Sequence, residues 1–281
     1  MKISFTFTIT LLFTLDILAQ PGNNIPAVAE TLYTATEKKI THKIGDRNFA
    51  IKIFQYGDSG NLVCINLHDN EGTSVEAAKS ILKQRGGKLI KIENNKQRLI
   101  QFRLKGVLYS FDPNRMFSKI GIEQTLKEHR KFSPVCIPEV EKFAQQLLSL
   151  IPDSTQCVVA LHNNTEEAFS IKSYLPGGNR QRDAKAVFAD SLQDVDDIIL
   201  TTDSLLFQKM ADNRYNSILQ DNINAKKDGS LSIYFGDINR RYVNIETQHG
   251  KVAQYAEMLD KLLAILNEEN KIKGEIPEDL H

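Results

Sequence analysis

The sequence predicts an α/β fold: a single domain with a mixed, mostly parallel sheet flanked by helices. Three observations point there. Runs such as 62–67 and 156–161 are short, apolar and rich in β-branched residues, the pattern of strands buried on both faces. Segments with apolar residues at helical spacing lie between such runs. No composition break, internal repeat or linker interrupts residues 47–268, so the alternation belongs to one domain. At 281 residues the chain is long enough to bury a large core.

Taken in order, the first segment stands apart. Met1 and Lys2 make a minimal positive start, residues 3–19 are apolar and Thr-rich, and Leu18-Ala19-Gln20-Pro21 resembles a cleavage site after Ala19. Asp16 interrupts the run, which is too short for a membrane span. The reading is a signal peptide at 1–19, with an uncleaved anchor or a buried first strand as alternatives. The protein is therefore expected to be periplasmic or secreted, with no membrane span once the signal is removed. Residues 20–46 read as a lead-in of weak periodicity, 47–268 as the single folded domain, and 269–281 as a charged tail.

Within the domain, residues 47–56 alternate as a strand, and a Gly-Asp-Ser-Gly turn follows at 57–60. A buried strand is predicted at 62–67. A helix follows over 73–85, capped by Thr73 or Ser74, with Val75, Ala78, Ile81 and Leu82 inward and Gly86-Gly87 at its end. Strands are predicted at 88–92, 99–104 and 107–111, the last two joined by a Lys105-Gly106 turn. Pro138 opens a helix over 138–150. Further strands are predicted at 156–161, 197–202, 231–235 and 242–246, and helices near 204–212 and over 251–268.

Composition excludes several classes. Lys+Arg and Asp+Glu both number 35, so there is no basic surplus for a nucleic-acid partner. Three cysteines without a CxxC pair make neither a disulfide framework nor a redox motif. Cys64 and Cys157 sit in apolar runs and read as packed free thiols, with a disulfide between two of the three as the lesser alternative. No GxSxG, GxGxxG or P-loop occurs, which leaves serine-hydrolase and nucleotide readings unsupported.

Sites in open α/β sheets form beyond the carboxyl ends of strands. Four such exits carry polar residues: His68-Asp69-Asn70-Glu71, Asp112-Pro113-Asn114-Arg115, His162-Asn163-Asn164-Thr165, and Glu246. His68 and Glu71, three apart in a turn, can converge on one cation, and His162 from another strand completes a His₂Glu set. Three protein ligands with one open position is the catalytic zinc arrangement. Taken singly, each could equally be an unrelated polar loop residue.

The order of these pieces resembles the zinc carboxypeptidase superfamily, and most of all its succinylglutamate desuccinylase/aspartoacylase branch. The resemblance runs from about residue 60 to 250. It implies one Zn²⁺ held by His68, Glu71 and His162. It implies that Arg115, assisted by Asn114, binds a substrate carboxylate, and that Glu246 acts as general base and then acid. Tyr174 falls where pocket residues occur. Arg98 is carried as an oxyanion-polarising guess, and His249 as a neighbour that tunes Glu246 or meets substrate. There are departures. Ala160 stands where the superfamily often has Asp, and Asp69 stands where Gly is commoner.

The resulting expectation is an exported zinc metallohydrolase that cleaves an amide bond beside a free carboxylate. Its partner would be a small peptide or an N-acyl amino acid, and location favours peptides, including cell-wall peptides. The alternatives are an N-acyl-amino-acid amidohydrolase, or a non-catalytic binding protein on the same scaffold.

Overall fold

A computed structural model describes residues 32–57, 62–165 and 169–275. The predicted signal peptide, most of the 57–60 turn and the last six residues of the predicted tail lie outside the described residues.

The chain begins with a hairpin. β1 (Ala35–Ile44) and β2 (Arg47–Tyr56) pair antiparallel, and Gly45 takes the left-handed conformation in the turn, at φ +56°. The sequence reading of a lead-in at 20–46 is thus corrected over 35–44. Glu37, Lys38, Lys39 and Lys43 face solvent and mask the period-2 pattern, as suits an edge strand.

β3 (Leu62–Asn66) is buried throughout, and α1 (Gly72–Arg85) follows it. Neither Thr73 nor Ser74 caps that helix; its N-cap is Glu71, and the Ser74 hydroxyl donates to the Glu71 carbonyl. β4 (Gly87–Glu93) returns to the sheet. β5 (Ile100–Leu104) and β6 (Val107–Phe111) form a separate hairpin. Next come α2 (Lys119–His129), α3 (Ile137–Leu148) and β7 (Cys157–Asn164). β8 (Ala184–Phe188), β9 (Ile198–Thr201), α4 (Ser204–Asp212) and β10 (Asn216–Gln220) follow. The described chain ends with α5 (Leu231–Asp237), β11 (Tyr242–Gln248) and α6 (Val252–Glu275).

The strand predicted at 231–235 is helix α5. Its Leu-Ser-Ile-Tyr-Phe alternation imitates a strand, but the Asn114 side chain accepts from Leu231 N at 3.0 Å and starts a helical turn there. The sequence reading assigns no element to α2, β8 or β10. The tail also begins later than predicted, because α6 runs past 269 to 275.

The large sheet has nine strands in the order β1-β2-β4-β3-β7-β11-β9-β10-β8. The central run β4-β3-β7-β11 is parallel, so the carboxyl ends of β3, β7 and β11 share one edge. Antiparallel strands flank this run on both sides. Helices α1, α4 and α6 bury one face against Cys64, Val159, Leu161, Val243 and Ile245. Helices α2, α3, α5 and the β5–β6 hairpin cover the other, against Val63, Ile65, Val158 and Ala160. This is a three-layer α/β sandwich. Cys64, Cys136 and Cys157 are buried free thiols. Among the described residues no helix is long and apolar enough to cross a membrane.

Candidate active site

His68 lies two residues beyond β3, Glu71 caps α1, and His162 lies near the carboxyl end of β7. Their ligand-capable atoms all lie within 4.8 Å of one another. His68 Nδ1 is 2.9 Å from Glu71 Oε1, His162 Nδ1 is 2.9 Å from Glu71 Oε2, and the two Nδ1 atoms are 3.3 Å apart. None of the three residues is more than 3% exposed.

The electrostatics are those of a buried charge cluster. Burial alone would lower His68, but the Glu71 and Asp112 carboxylates raise it to about 9. Burial likewise opposes ionisation of Glu71, yet the His68 and His162 imidazoles hold it well below the usual carboxylate range. His162 Nε2 is buried with no hydrogen-bond partner among the described residues, so that ring's polar contacts all face the shared point. Two imidazole nitrogens and a carboxylate, desolvated and aimed at one spot, fit a divalent ion of zinc type.

Asp112, which the sequence reading placed at a strand exit without assigning it a role, orients the cluster. Its Oδ1 lies 2.7 Å from His68 Nε2, leaving Nδ1 for the centre. Despite burial, His68 and Arg98 hold this carboxyl far down. Arg98 donates to Glu71 Oε1 at 2.7 Å and to Asp112 Oδ2 at 3.1 Å, with nearly half its side chain exposed. The departure at Asp69 now has a role. It pairs with Lys91 and accepts from the backbone of Asn94 (2.6 Å) and Lys96 (2.8 Å), pinning the loop that delivers Arg98. Asp112 was detectable in principle, as an acid directly at a strand exit.

A cavity of about 380 Å³ opens over the cluster, lined among others by Glu71, Arg98, Asn114, Arg115, His162, Tyr174, Glu246 and His249. Every predicted site residue except the deeper His68 lines it. The parallel register pairs Glu246 with His162, which sets the two side by side on one face. Burial pushes Glu246 above its ordinary value, and Asn244 donates to its Oε1 at 3.2 Å. Arg115 is 3.5 Å from Asp228 and donates to the Asn114 carbonyl. Asn114 Oδ1 is engaged by Leu231 N, so this side chain chiefly fastens the turn that carries Arg115. Tyr174 is buried edge-on against Phe169, and His249 is exposed at the rim. Asn244 and Asp228 were not predicted; Asn244 lies inside the predicted strand 242–246, and Asp228 in a segment to which the sequence reading assigns no element.

No protein-family model matches the chain, and no curated protein matches it. Among solved structures it is similar to an aspartoacylase family protein from Mesorhizobium loti, at 13% identity and a TM-score of 0.44, covering 83% of this chain and 67% of that one. It is similar to thrombin-activatable fibrinolysis inhibitor at 11% identity and a TM-score of 0.48, covering 85% and 70%. It is also similar to murein-tripeptide amidase from Escherichia coli O157 at 12% identity and a TM-score of 0.41, covering 86% and 95%. With these TM-scores below 0.5, the case for chemistry rests on the side chains themselves.

Proposed function

We propose that this chain is an exported zinc-dependent metallohydrolase that cleaves an amide bond beside a free carboxylate, as a carboxypeptidase does, on a peptide or cell-wall peptide. One observation carries the reading. The buried His68, Glu71 and His162 converge, and Glu246 and Arg115 line the cavity above them. Export rests on the sequence of residues 1–19.

His68, Glu71 and His162 would hold the ion, with Asp112 fixing the first imidazole. A zinc ion there would polarise the scissile carbonyl and acidify water. Arg115 pairs with the substrate's carboxylate, its planar fork suiting a bidentate contact, and so sets the amide over the cluster. Glu246 takes a proton from the attacking water and passes it to the leaving nitrogen. A carboxyl raised by burial suits both tasks, since it can hold that proton between the two steps. Arg98, tethered to Glu71 and Asp112 but half open to the cavity, is positioned to meet the carbonyl oxygen as charge develops on it.

The test is metal analysis joined to one substitution. Purified protein should carry about one zinc ion per chain. Glu246→Gln should keep the zinc and lose about 10²–10⁴-fold in kcat on blocked dipeptides. Protein without stoichiometric zinc, or full turnover by Glu246→Gln, overturns the reading. Turnover of N-acyl amino acids in place of peptides moves it to the amidohydrolase alternative.

A further inference from the structure

We infer that Arg98 tunes the metal centre: its charge makes the site hold a divalent ion less tightly and keeps that ion electrophilic. The inference rests on the metal reading above and gives Arg98 a role beyond contact with the substrate's carbonyl. Arg98 donates to Glu71 Oε1 through Nη1 at 2.7 Å and to Asp112 Oδ2 through Nη2 at 3.1 Å. One guanidinium thus joins the carboxylate of the metal-capable group to the carboxylate that orients His68.

The placement is built into the fold. A side chain with 47% of its surface exposed is ordinarily free to leave its partners. Here the segment before it is fixed. Asp69 Oδ2 accepts from the backbone N–H groups of Asn94 and Lys96, at 2.6 and 2.8 Å. The buried Asn94 side chain donates to the carbonyls of Gln97 at 3.1 Å and Leu99 at 2.9 Å. Asn95 and Lys96 are both held left-handed, at φ +52° and +56°, a conformation disfavoured for residues that carry a Cβ. A loop that accepts such strain twice in succession delivers Arg98 to one place.

Charge decides the sign of the effect. Glu71 and Asp112 each bring a negative charge to the cluster, and Arg98 offsets one of them. Asp69 is matched by Lys91, and Arg115 by Asp228. A dication therefore meets one uncompensated carboxylate charge where it would otherwise meet two. At a few ångströms, one unit charge changes the binding of a dication by an order of magnitude even with water on one side. Counted over Glu71, Asp112 and Arg98, a zinc-loaded centre is net positive instead of neutral, which strengthens its pull on a carbonyl oxygen. Glu246 stands nearby with or without Arg98 and does not alter that difference. If Arg98 merely held Glu71 in place, its loss would weaken metal binding; the charge argument requires the opposite.

The experiment measures zinc affinity of the full chain by competition with a chromophoric chelator. Arg98→Met keeps the apolar stem and removes the charge. It should bind zinc about ten- to hundredfold more tightly than wild type, while turning over blocked dipeptides more slowly. Arg98→Lys keeps a cation beside the two carboxylates and should return the affinity most of the way to wild type, which guards against an effect of altered packing in the Met variant. Asp112→Asn should move the affinity the other way, so tighter binding in Arg98→Met is not the mark of a generally disturbed site. Arg98→Met that binds zinc no more tightly than wild type, or Arg98→Lys that binds as tightly as Arg98→Met, overturns the inference while the metal reading stands. Wild type that binds no zinc overturns the metal reading, and the inference with it.

Discussion

At the residue scale, the candidate metal group depends on side chains that supply no ligand atom. His68 offers its Nδ1 to the centre because Asp112 occupies Nε2 at 2.7 Å. Asp112 is in turn held by Arg98 and by the Thr125 hydroxyl, which accepts from its backbone N–H at 2.8 Å. Such carboxylate partners fix ring orientation and raise ligand basicity. Asp112→Asn should therefore keep the fold but weaken zinc affinity about 10- to 100-fold, measured by competition with a chromophoric chelator. Unchanged affinity would show that His68 is oriented by packing alone. His68, His162 and Glu246 were legible in the sequence because each ends or follows an apolar run that announces a buried strand. Asp112 sits at a strand exit too, but its role arises from a contact with a residue 44 positions away, which no local pattern carries. The same is true of Asp69, whose partners Lys91, Asn94 and Lys96 become neighbours only after β4 has returned to the sheet.

At the element scale, the wall around Arg115 is built by two glycines. Gly229, at φ +76°, and Gly121 near the start of α2 touch backbone to backbone; a Cβ on Gly121 would lie 2.5 Å from both Gly229 Cα and the Arg115 carbonyl. That close approach brings Asp228 to within 3.5 Å of the Arg115 guanidinium. Gly121→Ala should push the 228–230 loop away, raising KM on carboxylate-bearing substrates more than it lowers kcat and costing about 1–3 kcal/mol of stability. Steady-state kinetics and a denaturant melt check both. A second fastening closes the opposite end of β11. Arg241 donates to Asp203, the N-cap of α4, at 2.8 Å and to Glu269 of α6 at 2.6 Å. Arg241→Ala strands two part-buried carboxylates and should cost about 2–3 kcal/mol. Burial tends to raise Asp203, but its contacts with Arg241 and with the Leu205 and Leu206 backbone N–H groups together outweigh that and lower it. A carboxyl depressed in the folded state stabilises above its unfolded pKa of about 3.9 and loses that contribution as pH falls through the folded value. The gap between wild type and Arg241→Ala in a urea melt should thus be full at pH 6 and shrink below about pH 4. Elements with clean periodicity, such as α1, α3 and α6, were readable in advance. β1 was hidden by its solvent-facing charges. α5 was misread because seven residues are too few for a helical period to show against Leu-Ser-Ile-Tyr-Phe alternation.

At the scale of the whole molecule, the arrangement of strands decides what the ion would tie together. The class of fold was legible because fully apolar runs alternate with helical segments; the strand order was not, since it depends on pairings between distant runs. β3 and β7 are neighbours at the centre of the nine-stranded sheet, and α1 leaves β3 to pack on one face. His68, Glu71 and His162 come from the β3 exit, the α1 cap and β7, so one ion would join three parts of the core that already meet through polar side chains. Without it the two imidazoles and the carboxylate are desolvated against one another and against Asp112 and Arg98. An ion that binds the folded chain and not the unfolded one adds about 2.7 kcal/mol at a hundredfold excess over its Kd. For a domain of this size that corresponds to roughly 5–10 °C in melting temperature. Chelation should lower the midpoint by that amount, and added zinc should restore it. His162→Ala should melt at one temperature with or without chelator, because the ion has lost a ligand from the strand that pairs with both β3 and β11. Glu246→Gln should respond to chelation as wild type does, since Glu246 lines the cavity but is not one of the three converging groups. A wild-type midpoint indifferent to chelator would mean that the cluster is held together by its own ion pairs, and the metal reading would go with it.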